Sequence, residues 1–217
     1  VSKTSTNPSA SLTETHLIED SEDALALEFA RRHEPHLRYT HGMDWLYFNG
    51  ANWGPDRSMR RYDYARHLCR SAAAGHHNKV GRKIAAASTV NAVVSLARSD
   101  QRLIVNAKAW DSDPGIINTP AGIVELLTGT IKPTSHTDYV TCMTAVPPLN
   151  QHAPVWARFL QSVFENDEDV INFIQALLGY CLTGFTREQK LFFFFGKGSN
   201  GKSTLLDLVE WLMGDYS

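Results

Sequence analysis

The chain has 217 residues, 43% of them hydrophobic and 20% charged, with a formal net charge of −2, proportions that suit one good core or two modest ones in a globular protein. No apolar run approaches the roughly 20 residues needed to span a bilayer, and three scattered cysteines, Cys69, Cys142 and Cys181, form neither a disulfide framework nor a metal-ligand spacing; they read as reduced cytosolic thiols, core or part-buried. The near-neutral total hides an asymmetry: residues 57–108 hold eleven Lys and Arg against Asp63 and Asp100, a local +9, which leaves −11 on the remainder.

In chain order, residues 1–17 are rich in Ser and Thr, show no apolar period and lack the apolar centre of a signal peptide, so a disordered leader is expected. Val1 in place of Met is expected of a fragment or a processed product. Ser21 is placed to cap a helix with Glu22 and Asp23 in its first turn, Leu25 and Phe29 on its apolar face, and Pro35 beyond its end. WLYFNGANW, 45–53, carries Asn49-Gly50 between aromatic runs, a hairpin signal because both residues tolerate positive φ. Its Trp45, Tyr47, Phe48 and Trp53 suit base stacking or, more commonly, cross-strand packing. Residues 62–74 read as a helix with Tyr62, Ala65, Leu68 and Cys69 on one side, stopped by Gly75. His76-His77 reads as a solvated turn, with no further ligand at a metal spacing. A second helix, rich in Ala and Val and basic at both ends, is expected over 82–98.

From Trp110 the texture changes. WDSDPGIINTPAGIVELLTGTIKP reads as short strands punctuated by Pro and Gly, with Thr128-Gly129 as a turn. Asp111 and Asp113, beside Pro114-Gly115, read as turn formers, not as a catalytic carboxylate pair. Residues 147–154 are the strongest linker and mark the expected domain boundary. A helix over 155–164 follows, then one capped by Asn166, with Asp167, Glu168 and Asp169 in its first turn and a core stripe of Val170, Ile171, Phe173, Ile174, Leu177, Leu178 and Cys181. Gly184 is its expected C′ residue. LFFFF, 191–195, reads as an inner strand of a covered parallel sheet, because it is apolar on both faces.

The next residues, Gly196, Lys197, Gly198, Ser199, Asn200, Gly201, Lys202 and Ser203, fit G-x-x-x-x-G-K-[ST] at every fixed position. A loop that wraps backbone N–H groups around phosphate oxygens needs small residues, hence its three glycines. The helix expected from Lys202 aims its positive end at the same phosphates. Lys202 can reach β- and γ-oxygens as a point charge, and the Ser203 hydroxyl can ligate Mg²⁺; Thr204 completes the nucleotide-binding set. Phosphoryl transfer also requires a metal-holding acid on a neighbouring strand, and commonly an arginine finger. Asp207 and Glu210 fall on the helix after the loop and cannot be that strand acid, so the 217 residues alone are expected to lack ATPase turnover.

At this point the sequence resembles the phage and plasmid primase-helicases and their poxvirus relatives. The hairpin at 45–53, the Asn-x-Pro-x-Gly stretch and Thr-Gly turn within 116–133, the helical pair over 155–184 and REQKLFFFFGKGSNGKST at 187–204 carry the likeness. It covers about residues 22 to 217. The resemblance implies an α+β chain: a disordered leader, 1–17, then a mostly helical associated domain with short hairpins, 18–148, forming a collar. The beginning of an α/β P-loop domain of the superfamily 3, AAA+ class would follow at 149–217. It implies an ATP- and Mg²⁺-dependent DNA helicase in viral, plasmid or phage replication. Such a helicase works in the cytoplasm of a bacterial host or of a virus-infected cell, as a ring, by expectation a hexamer, on single-stranded or forked DNA. Walker B acids and an arginine finger would lie beyond Ser217, and any primase activity upstream of Val1. Arg57, Arg60, Arg61, Arg66, Arg70, Lys79, Arg82 and Lys83 are the candidate DNA contacts. Two other readings stand beside it: a non-catalytic DNA-binding and oligomerisation module, and a P-loop kinase of small molecules.

Overall fold

The computed structural model describes residues 21–77, 79–196, 198 and 200–217. The expected leader and two loop positions, Lys197 and Ser199, lie outside the described residues. Among these residues the fold is α+β, with seven α-helices and two three-stranded antiparallel sheets, ordered β1-β2-β3 and β4-β5-β6. They form two compact units: one of residues up to 32 with 61–100, the other of 33–60 with 101–217.

The first unit is helical. The Ser21 hydroxyl accepts the Ala24 N–H at 3.1 Å and opens α1 (Glu22–His33), which buries Leu25, Ala26, Phe29 and Ala30. Most of α2 (Arg60–Ala73) lies in this unit and buries Ala65, Leu68 and Cys69. The helix expected over 82–98 is instead two, α3 (Lys79–Ile84) and α4 (Ala87–Ala97). Ala86 between them is extended, at ψ 150°. The Lys83 carbonyl, which would accept the N–H four residues on in a continuous helix, accepts from the Ala86 N–H and the Thr89 hydroxyl instead.

The second unit holds both sheets. β1 (Leu37–Thr40), absent from the sequence reading, pairs with β2 (Asp44–Phe48), and β2 pairs with β3 (Trp53–Pro55). The turn is not a two-residue one: Phe48 faces Trp53 across four residues. The Asn49 carboxamide oxygen accepts the Ala51 and Asn52 N–H groups, and in the turn only Gly50 has positive φ. Residues 103–105 lie along β1 as a parallel neighbour, the Tyr39 N–H donating to Leu103 and the Tyr39 carbonyl accepting from Val105. Over this sheet Leu46, Trp53, Val105 and Trp110 form a buried cluster flanked by Phe48 and Tyr139. Trp45, Phe48 and Trp53 are therefore packing residues: Phe48 tilts against Trp53, and Trp53–Trp110 and Tyr39–Trp45 meet edge-on, an arrangement that ring quadrupoles favour.

The second sheet follows the expected texture. β4 (Ile116–Thr119), β5 (Gly122–Glu125) and β6 (Ile131–Lys132) run antiparallel, and Gly129, at φ +73°, closes the β5–β6 turn by donating to Glu125. Gly122 is required: its φ is +119°, and an added Cβ would lie 2.2 Å from the Lys132 carbonyl oxygen.

The last three helices are α5 (Pro154–Val163), α6 (Glu168–Cys181) and α7 (Lys202–Met213). Four expectations change here. The α6 cap is Asp167, whose carboxylate accepts the Asp169 and Val170 N–H groups, because Asn166 sits at φ +61° and its own N–H closes α5 on Gln161. The α6 stripe is only partly covered: Ile174 and Leu177 are buried, while Val170 and Phe173 face solvent and the Cys181 thiol is exposed. Gly184 is no left-handed C′ residue; it is a contact glycine, its N–H on the Pro114 carbonyl and an added Cβ 3.0 Å from the proline ring. Residues 191–195 form no strand, and Leu191, Phe193 and Phe195 are exposed. A strand needs a neighbour for its backbone donors and acceptors, and no described segment pairs with this one, so the sheets among the described residues are the two antiparallel ones.

Candidate functional site

The glycine-rich loop opens α7 as its residue types require. Gly201 stands before the helix at φ +78°, and an added Cβ would come within 2.6 Å of Val163 Cγ2 and 3.2 Å of the Phe159 ring. Both its dihedral and its contact with α5 demand glycine. Lys202 turns its ammonium back over the loop, donating to Asn200 Oδ1 at 2.6 Å and to the Gly196 carbonyl at 3.3 Å. Ser203 and Thr204 are exposed in the first turn of α7. A cation gathered onto loop oxygens, glycines at the close approaches and a helix N-terminus fit a phosphate group chemically. Gly196, Gly198, Asn200, Gly201, Lys202, Ser203 and Thr204 are thus brought to one place. Asp207 and Glu210 lie further along α7, exposed to solvent, and no three His, Cys, Asp or Glu among the described residues could hold a metal ion.

The far end of α7 is tied to the second sheet. The Asn118 N–H donates to the Tyr216 hydroxyl at 3.0 Å. Its side chain is fully buried; Nδ2 donates to the Ala51 carbonyl at 3.0 Å and the Cys142 carbonyl at 3.1 Å, and Oδ1 accepts the Thr134 hydroxyl at 2.8 Å. Met143 and Asp215 exchange hydrogen bonds, and Ala145 donates to Leu212. Gly214 at φ +58° allows this approach, since an added Cβ would sit 2.7 Å from the Met143 carbonyl oxygen. The Asn of the Asn-x-Pro-x-Gly stretch is therefore a hub joining the β2–β3 turn, residues 134–144 and the end of α7. Sequence reading did not assign it this role; its one local signal is a polar side chain in an otherwise β-branched run.

Arg38 is a second residue the sequence did not flag. It is 3% exposed and lies over the Trp53 and Tyr139 rings, 5.6 and 6.0 Å from their centroids. It donates to the Glu34 and Leu37 carbonyls, while its Nε has no partner. Its cation–π contacts and backbone bonds offset the cost of burying its charge.

A cleft of about 560 Å³ includes Asp111, Asp113, Asp138, Cys142, Cys181 and Tyr216 in its lining. Its carboxylates are all engaged: Asp111 accepts from Thr141, Asp113 from the Gly115 N–H, and Asp138 from Lys132 and the Ser135 N–H. Burial pushes the Cys142 thiol and the Tyr216 hydroxyl up, against ionisation. These groups are structural: Asp113 forms the expected turn at Pro114-Gly115, whereas the Asp111 carboxylate makes a long-range tie to Thr141 instead of closing that turn. His76 and His77 lie in a non-helical connection between α2 and α3.

The basic candidates divide between the units. Arg57 and Arg60 belong to the second, where the Arg60 guanidinium stacks 4.4 Å from the Tyr47 ring centroid. Arg61, Arg66, Arg70, Lys79, Arg82 and Lys83 belong to the first. Arg61 lies over Tyr62 at 5.0 Å. Arg66 and Arg70 are exposed one turn apart on α2, and Lys79, Arg82 and Lys83 are exposed on α3. No described helix is long and apolar enough to cross a membrane.

A family model described as "D5 N terminal like" matches residues 26–165, or 140 of 217. A 57-residue segment is 35% identical to a candidate helicase of Acanthamoeba polyphaga mimivirus; it covers 26% of this chain and 6% of that protein. The match therefore spans only a small part of that relative's length.

Proposed function

The chain belongs to the D5 N terminal like family, as a primase-helicase N-terminal region, and on that premise we propose that it binds ATP with Mg²⁺ and single-stranded or forked DNA as part of a ring-forming DNA helicase. The observation that carries this reading is the loop before α7: a family match that ends at residue 165 is followed by a glycine loop whose Lys202 ammonium is held over it. Gly196, Gly198, Asn200 and Gly201 would surround the phosphates, Lys202 would neutralise them, and Ser203 would supply an oxygen to the metal. Bound ATP-Mg²⁺ brings the reacting phosphoryl group and its counter-cation; the residues of this chain bind and orient it. In this reading residues 18–148 form the helicase-associated domain and residues 149–217 begin the P-loop domain.

DNA would be held through phosphates by exposed cations of residues 57–108, namely Arg57, Arg60, Arg66 and Arg70. Titration of the 217-residue chain with a fluorescent ATP analogue tests the nucleotide part: Lys202→Ala should abolish binding, and undiminished binding would refute it. Binding of single-stranded DNA should weaken with salt at a log–log slope of about −0.7 per phosphate neutralised; a flat response excludes the DNA part. One specific observation favours a second reading, a non-catalytic module: Asp207 and Glu210 lie on α7, and no described strand adjoins residues 191–195. Both readings predict no steady-state ATP turnover by these 217 residues, and they part on Lys202→Ala.

A further inference from the structure

The hairpin formed by α5 and α6 leaves an apolar groove of about 380 Å³ between its helices, floored by Trp156, Leu160, Ile171, Ile174 and Leu178, with Glu168 at its rim. Exposed beside it are the acids that open α6: Glu165, Glu168 and Asp169, with the capping Asp167. None of the four has an ion-pair partner among the described residues. The same chain carries the opposite pattern on α3. There Val80 is exposed, an apolar side chain flanked by exposed Lys79, Arg82 and Lys83. α3 carries no acid, and these three cations also have no ion-pair partner among the described residues. An apolar centre with an unpaired acidic rim and an apolar residue ringed by unpaired cations are complementary.

We propose that the α5–α6 groove is an interface that receives α3 of a second copy of this chain. The surfaces differ, so the contact is head-to-tail, the kind that closes into a ring or propagates. Pairing like with like, groove to groove, would set acid against acid. This deepens the ring-forming part of the proposed function, and rests on it only in requiring that the chain self-associate. It places α3 against protein, leaving Arg57, Arg60, Arg66 and Arg70 for DNA.

The test is sedimentation velocity of the 217-residue chain over a concentration series, at low and moderate salt. The wild type should associate, less so as salt rises. Glu168→Lys and Arg82→Glu should each weaken self-association by about tenfold. With positions 168 and 82 facing each other across the contact, an equimolar mixture of the two should recover association, because the substituted groove meets the substituted α3 and the unsubstituted groove the unsubstituted α3, an opposite-charge pair in both cases; that recovery also shows both variants to be folded. Neither substitution touches the loop before α7, so ATP-analogue binding should stay unchanged. A wild type that stays monomeric at every concentration overturns both this interface and the ring-forming reading. Association that survives Glu168→Lys, or variants that fail to recover on mixing, overturns the interface alone. If Arg82→Glu weakens binding of single-stranded DNA but leaves association intact, α3 is a nucleic-acid contact and the proposal falls.

Discussion

The aromatic hairpin at 45–53 and the phenylalanine run at 192–195 are both dense in large apolar side chains, and the structure treats them in opposite ways. Trp45 and Trp53 are 4% and 0% exposed; Phe193 and Phe195 are 80% and 85% exposed. The hairpin has partners on every side: β1 and β3 complete its backbone bonds, and Trp110, Val105 and Arg38 close over Trp53. The phenylalanine run pairs with no described strand; Phe192 meets the Phe173 ring at 6.1 Å, while Phe193 and Phe195 stay open to solvent. Apolar composition thus states a demand for burial, and meeting it takes a second surface with matching hydrogen-bond groups.

Mutating both regions alike gives the largest contrast. Trp53→Ala should destabilise the protein by about 3–5 kcal/mol, since it removes a fully buried ring and leaves a cavity. Phe193→Ala should change stability by less than about 0.5 kcal/mol, as at other exposed sites. Urea unfolding of both variants checks this; equal losses would mean that the run is buried in solution. Next in size is Asn118→Ala, which strands the Ala51 and Cys142 carbonyls and the Thr134 hydroxyl. A loss of about 2–3 kcal/mol is expected, measured the same way. Tyr216→Phe removes one acceptor from that hub and should cost about 1 kcal/mol. Hydrogen exchange should then show faster opening at the Asn118 N–H.

The smallest effect lies in the first unit. The Arg31 guanidinium bonded to Glu28 lowers its carboxyl from 4.5 to about 2, burial opposes this, and Arg32 adds to the lowering. A depressed carboxyl contributes stability that is fully present above pH 4.5 and is lost as pH falls towards 2. Both arginines are well exposed, and solvent screening limits the contribution to about 1 kcal/mol. Glu28→Gln should flatten the acid limb of stability against pH by that amount; an unchanged limb would show the pair to be energetically silent.

What the sequence determined by itself was local. The Ser21 cap, the buried face of α1, the Gly129 turn, the start of α7 at Lys202 and the turn role of Asp113 all follow from residues within a few positions of one another. Their physics is dihedral preference, capping and periodicity, which needs no distant partner. The glycine loop was legible for the same reason, since its chemistry is contained in eight consecutive residues. The tertiary structure decided the rest. Thr89 interrupts the expected helix by bonding the Lys83 carbonyl, and Gly184 serves Pro114 instead of a helix end. Arg38 is held by Trp53 and Tyr139, and Asn118 joins segments 16 to 98 residues away. Each of these depends on which chain segment arrives to supply the missing donor, acceptor or ring face, and no short stretch of sequence encodes that alone.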